Sequence, residues 1–143
     1  MSIAKVLLVD DEIPFVEAMS KRLKKREIDI VTSFSGAEAL DALQNDGSIE
    51  VAILDVKMPG MDGIETLGEI RKRFPLVEVI MLTGHATVET GIEGMKLGAF
   101  DYLMKPCDMT NLMDKLKEAV AKKRRHEEKI IEARMKEITG RRA

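Results

Sequence analysis

The sequence predicts a doubly wound α/β fold, and three observations predict it. Five short apolar runs alternate with five longer segments of helical period. Two of the runs, Val51-Ala52-Ile53-Leu54 and Val79-Ile80-Met81-Leu82, are apolar throughout, as strands buried on both faces should be. Four runs close on a polar residue of a kind that suits a site: Asp10 and Asp11, Asp55, Thr83 and Lys105. Repeated βα units of this length imply a parallel sheet covered on both faces.

The elements follow in order. Strand one is expected near 5–9. Helix one, near 13–26, puts Val16, Met19 and Leu23 on one face and Lys21, Arg22, Lys24 and Lys25 mainly off it. Pro14 falls in its first turn, where the missing N–H costs little. Strand two, near 28–33, partly alternates through Ile28-Asp29-Ile30-Val31-Thr32, which fits an edge. Helix two is expected near 36–46 and strand three near 50–54. Helix three, near 64–74, aligns Ile64, Leu67, Ile70 and Phe74. It ends at Phe74-Pro75, because a residue before proline is biased away from the helical region. Strand four lies near 77–82, and helix four near 87–97 with Gly98 placed to end it. Strand five lies near 100–104, and a last helix near 109–138. Short right-handed crossovers leave few topologies. The order 2-1-3-4-5 is expected, with an extended C-terminal helix. Ligands in such folds bind beyond the carboxyl ends of the strands. Asp10, Asp11, Asp55, Thr83 and Lys105 all fall there.

Composition bounds the class. The chain has 143 residues, enough for one domain with a real core, and is 45% hydrophobic and 34% charged. No apolar run approaches the roughly 20 residues of a membrane helix. The start, Met1-Ser2-Ile3-Ala4-Lys5, lacks a signal-peptide pattern, so a cytoplasmic location is expected. The one cysteine, Cys107, excludes an intramolecular disulfide and a cysteine-based zinc site. Charge is uneven: residues 1–114 hold 12 Lys/Arg and 20 Asp/Glu, residues 115–143 hold 11 and 5. The acidic body suits a cation. The basic tail has no aromatic residue and no reading motif, so direct DNA binding is not expected.

The site residues suggest their own chemistry. Three acids at one sheet edge repel one another unless a cation joins them. Asp10, Asp11 and Asp55 offer hard oxygens, the donors Mg²⁺ prefers alongside water and phosphate. With the metal in place Asp55 can stay ionised and attack phosphorus. Thr83 and Lys105 would bond the phosphoryl oxygens, since such transfer runs mostly on positioning and charge neutralisation. Solvated acids at loop starts would explain one of these residues but not four matching strand ends. Pro59, Gly60 and Gly63 supply the turn after Asp55.

These residues resemble the receiver domain of bacterial two-component response regulators. The resemblance rests on Asp10-Asp11, the stretch from Leu54-Asp55-Val56-Lys57-Met58-Pro59 to Gly63, Leu82-Thr83-Gly84, and Tyr102-Leu103-Met104-Lys105-Pro106. It spans residues 4 to about 120. It implies a flavodoxin-like (βα)5 fold and a signalling phosphoacceptor rather than an enzyme, one that assists its own phosphotransfer and autodephosphorylation. Asp55 would receive the phosphoryl group from the phosphohistidine of a sensor histidine kinase. Asp11 would bind Mg²⁺ directly, Asp10 mainly through water, and the Lys57 backbone carbonyl would be a further ligand beside Asp55. Lys105-Pro106 would be a cis peptide. Thr83 and Tyr102 would form a switch pair that remodels the face of helix 4, strand 5 and helix 5. Lys57 and His85, at positions that vary in the family, would overhang the site and tune phosphate lifetime.

Two units are expected: a receiver over 1–120 and a helical extension or linker over 121–143. Leu112, Leu116 and Val120 form a docking stripe on the body; Ile131, Met135 and Ile138 form a second stripe beyond a charged seam. The extension is expected to project and to pair with a second copy or a downstream partner protein. Too few residues follow 120 for an output module, so the chain acts by docking or is the front of a larger regulator. Three other readings compete, and the first, a nucleic-acid binder using the tail, would bind weakly and in a salt-dependent way at most. A flavodoxin-like cofactor binder would want small donors where Asp10-Asp11-Glu12 stands. A degenerate receiver would act through its C-terminal helix without phosphorylation.

Overall fold

The computed structural model describes residues 2–85 and 87–142. Met1 and Ala143, the outer bounds of the two expected units, lie outside the described residues. The elements run β1 Ala4–Val9, α1 Ile13–Lys24, β2 Ile28–Ser33, α2 Gly36–Asn45, β3 Val51–Leu54, α3 Gly63–Arg73, β4 Glu78–Thr83, α4 Val88–Lys96, β5 Asp101–Met104 and α5 Met109–Arg142. The five strands are parallel, in the order β2-β1-β3-β4-β5. This is the predicted flavodoxin-like architecture with its long last helix.

Strand alternation sorts the core into two layers. Val6, Leu8, Val51, Ile53, Ile80 and Leu82 face α1 and α5. Their neighbours Leu7, Val9, Ala52, Leu54, Val79 and Met81 face α2 and α3. Because both faces are covered, β3 and β4 are buried along their whole length. The edge strands β2 and β5 are only partly buried.

Local chemistry sets the helix ends. Ser35, Asp62 and Thr87 accept backbone N–H bonds at the starts of α2, α3 and α4. Each such cap contributes about 1 kcal/mol. Gly98, at φ 100°, takes the left-handed turn that ends α4. Two ends differ from expectation. Helix one stops at Lys24 rather than near 26, because Arg26 and Glu27 donate to Leu23 and Lys24 carbonyls in a turn that closes with Glu27 at φ 65°. The last helix runs past 138 and through Gly140 to Arg142, since a single exposed glycine lowers helix propensity by only about 1 kcal/mol.

The helix crosses residue 120 without a break. Its charged seam is anchored at the amino-terminal rim of the sheet. Arg124 makes two bonds of 2.9 Å to the Glu50 carboxylate and one of 3.1 Å to the Ile3 carbonyl. Lys123 lies 3.7 Å from Glu50, and Lys122 lies 3.5 Å from Glu78. No helix among the described residues is long and apolar enough to cross a membrane.

Candidate functional site

The strand ladder continues one residue beyond the strands at the carboxyl rim, and this aligns the site. Asp10 N–H donates to the Ser33 carbonyl at 3.2 Å, Asp55 N–H to Val9 at 3.1 Å, and Lys105 N–H to Thr83 at 2.8 Å. Asp10, Asp55 and Lys105 are therefore fixed by backbone pairing, not by loop conformation. Gly63 completes the frame. Its N–H donates to the Val56 carbonyl at 2.7 Å, and a Cβ there would overlap the Asp55 carbonyl. The start of α3 can seat against the Asp55 loop only because this residue has no side chain.

One carboxylate oxygen from each of Asp10, Asp11 and Asp55 lies within 4.8 Å of the others. Asp10 and Asp55 are 1% and 2% exposed, while Asp11 is open to solvent. The cluster is thus rigid below and accessible above. Asp10 accepts the Lys105 ammonium at 2.6 Å and the Glu12 N–H at 3.0 Å. Asp55 accepts the Val56 N–H at 2.8 Å.

Burial pushes the Asp55 carboxyl pKa up. The nearby Thr83 hydroxyl pulls the other way; the Asp10 carboxylate adds to the rise, and the net shift is upward. Burial alone would lower the Lys105 pKa. Its bond to Asp10 and the charges of Asp10, Asp55 and Glu12 outweigh that, and the ammonium is held more firmly. Three carboxylates face one ammonium, which leaves an excess of negative charge on hard oxygen donors. That donor set fits a small divalent cation such as Mg²⁺.

The other expected residues take distinct places. Thr83 is buried at the end of β4, and its hydroxyl oxygen accepts the His85 N–H at 3.0 Å. Lys57 and His85 are exposed and line a shallow mouth with Asp11, Glu12 and Pro59. Lys105-Pro106 is a cis peptide. Tyr102 is half-buried on β5, and its hydroxyl shares a 2.6 Å hydrogen bond with Thr90. Its ring packs along α4, where a Cβ on Gly94 would lie 3.6 Å away. The sequence pattern singles out neither Thr90 nor Phe15, and marks Glu12 only as an acid of the first loop, not as a neighbour of Lys105. The Thr87–Thr90 spacing, a reciprocal cap in the structure, was the available signal for the first. Glu12 and Phe15 carried no signal of this contact, since their partner Lys105 is some ninety residues away in sequence.

A family model described as the response regulator receiver domain matches residues 6–117. The transcriptional regulatory protein ZraR of Escherichia coli (strain K12) is 36% identical over 116 residues, 81% of this chain and 26% of that protein. The response regulator protein FleR of Pseudomonas aeruginosa is 40% identical over 111 residues, 78% of this chain and 23% of that protein. The crystal structure of a response regulator receiver domain protein from Clostridium thermocellum superposes with a TM-score of 0.81 at 36% identity, over 85% of this chain and 98% of that one. The chain spans about a quarter of the length of the curated relatives it matches.

Proposed function

The chain belongs to the response regulator receiver domain family, and from that membership we propose that Asp55 accepts a phosphoryl group from the phosphohistidine of a sensor histidine kinase. The observation that supports this most is the meeting of three carboxylates, a buried hydroxyl and an ammonium at one sheet rim. An Asp55 carboxylate oxygen attacks phosphorus, the P–N bond breaks, and the imidazole leaves as an aspartyl phosphate forms. Mg²⁺, held by Asp11, Asp55 and the Lys57 backbone carbonyl with Asp10 acting through water, would supply charge neutralisation. Thr83 and Lys105 donate to the phosphoryl oxygens. The protein acts as a signalling phosphoacceptor that assists its own phosphorylation and dephosphorylation. Lys57 and His85 at the mouth govern water access and so phosphate lifetime.

The output follows from the same residues. When the Thr83 hydroxyl turns to the phosphoryl group, Tyr102 gives up Thr90 and turns inward. The α4–β5–α5 face changes with it. That face exposes the apolar side chains of Val88, Ile92, Met95 and Met104, which suit a partner. The partner is a downstream protein or a second copy. We take residues 1–120 as the receiver unit and 121–143 as an extension that shares in pairing, acting in the cytoplasm without direct contact to DNA.

Incubation with acetyl phosphate and Mg²⁺ tests the proposal. Wild type should gain the mass of one phosphoryl group, acid-stable and base-labile. EDTA or Asp55→Asn should abolish it. No gain on folded wild type, with a kinase also tried, would favour a receiver that works as an interaction module without phosphorylation.

A further inference from the structure

We infer that Phe15 is a positioning residue for Lys105: its ring face holds the ammonium at the site while leaving N–H groups free for the phosphoryl oxygens. The inference rests on the phosphoacceptor reading above and adds to it a residue outside the matched motifs.

The Lys105 ammonium lies 3.9 Å from the centroid of the Phe15 ring. Its other neighbours are Asp10 at 2.6 Å and Glu12 at 3.6 Å. The lysine side chain is only 14% exposed, so it sits largely out of water among these groups, with the Asp55 charge nearby. An ammonium carries three N–H donors. Asp10 takes one, and Glu12 is too distant for a good hydrogen bond. The ring attracts the charge through its quadrupole and takes no directed bond. That difference matters when a phosphoryl group arrives. The ammonium must then swing from Asp10 toward Asp55. A second carboxylate in contact would compete for the same N–H groups, whereas the ring's attraction persists out to about 6 Å and permits the pivot.

The chain builds this contact locally. Phe15 stands in the first turn of α1, directly after Pro14, whose fixed φ sets the turn. A cavity of about 270 Å³ borders both Phe15 and Lys105 and is lined further by Met19, Leu82, Pro106 and Cys107. The ring therefore has room to follow the ammonium. An aliphatic side chain could fill the same place against the core, but it would lack the electrostatic attraction.

A fluorinated series separates charge attraction from packing. Phenylalanine at position 15 is replaced by mono-, di- and trifluorophenylalanine, which keep nearly the same shape while the ring face loses its negative potential. The rate of phosphorylation by acetyl phosphate at saturating Mg²⁺ should fall stepwise, by about tenfold across the series. Phe15→Leu should fall as far, and Phe15→Trp should retain the rate. Independently of activity, the Lys105 side-chain methylene protons next to the nitrogen should be shifted upfield by the ring in metal-free protein, and Phe15→Leu should abolish the shift. A flat fluorination series, or no ring-induced shift in wild type, overturns the positioning role alone. Wild type that takes up no phosphoryl group overturns the reading of the whole site, and the positioning role with it.

Discussion

At Asp55, burial and the adjacent Asp10 carboxylate outweigh the Thr83 hydroxyl and Lys105, and the pKa rises above the ordinary 3.8. The folded protein keeps this proton to higher pH than the unfolded chain does. Stability therefore falls as pH rises from 3.8 through the folded pKa, and the full penalty is present above that. Asp55→Asn removes the penalty. In metal-free protein at neutral pH it should raise the melting temperature, and the gain should vanish on acidification below the ordinary carboxylate range. Calorimetry across pH checks the direction and the pH at which the gain is lost. Lys105 acts on the other side of the site. Lys105→Ala should slow phosphorylation by acetyl phosphate about a hundredfold, as expected when a charge-stabilising donor is lost. A rate within twofold of wild type would remove Lys105 from the chemistry.

Among the elements, α4 is the least anchored. Gly94 is its one buried residue among those described, and the Thr87–Thr90 cap and the Thr90–Tyr102 hydrogen bond hold its first turn. Tyr102→Phe removes one of these bonds at a cost of about 1 kcal/mol. Amide exchange over 88–91 should quicken, while exchange in β1 and β3 stays as in wild type. Helix α5 is the opposite case. Lys122, Lys123 and Arg124 bind Glu50 and Glu78, which stand at the starts of two central strands. Glu78 is 1% exposed, and among the described residues neither of its carboxylate oxygens has a hydrogen-bond partner. Ion pairs to Lys122 and, at 3.9 Å, to Arg71 are what offset its burial. Lys122→Ala should therefore cost about 2 kcal/mol in urea unfolding, more than a solvated pair contributes. Arg124→Ala should cost less, because Glu50 keeps Lys123 and some solvent.

At the scale of the molecule, the sequence made the fold legible because each level agreed. Continuous apolar runs marked β3 and β4, partial alternation marked the β2 edge, and Gly98 marked the end of α4. The acid cluster was legible too, because backbone pairing alone carries Asp10 and Asp55 to one rim. Contacts between distant side chains were not. The Phe15–Lys105 and Arg124–Glu50 pairs depend on which faces of α1 and α5 meet the sheet, and helical periodicity fixes those faces only to within a residue or so. The charged seam in α5 read as an interruption of an apolar stripe; in the folded chain it is the anchor of the extension. If the exposed Ile131, Met135 and Ile138 pair two copies, removal of residues 127–143 should convert a dimer to a monomer in sedimentation. An unchanged mass would remove self-pairing from the account.

The central claim is that Asp55 becomes an acyl phosphate. Borohydride reduction tests it most directly, since it converts an aspartyl phosphate to homoserine while leaving a free carboxylate intact. After treatment with acetyl phosphate and Mg²⁺, peptide mass spectrometry should find homoserine at position 55, and EDTA should suppress it. Homoserine at another aspartate, or none while phosphate is bound elsewhere, would contradict the account.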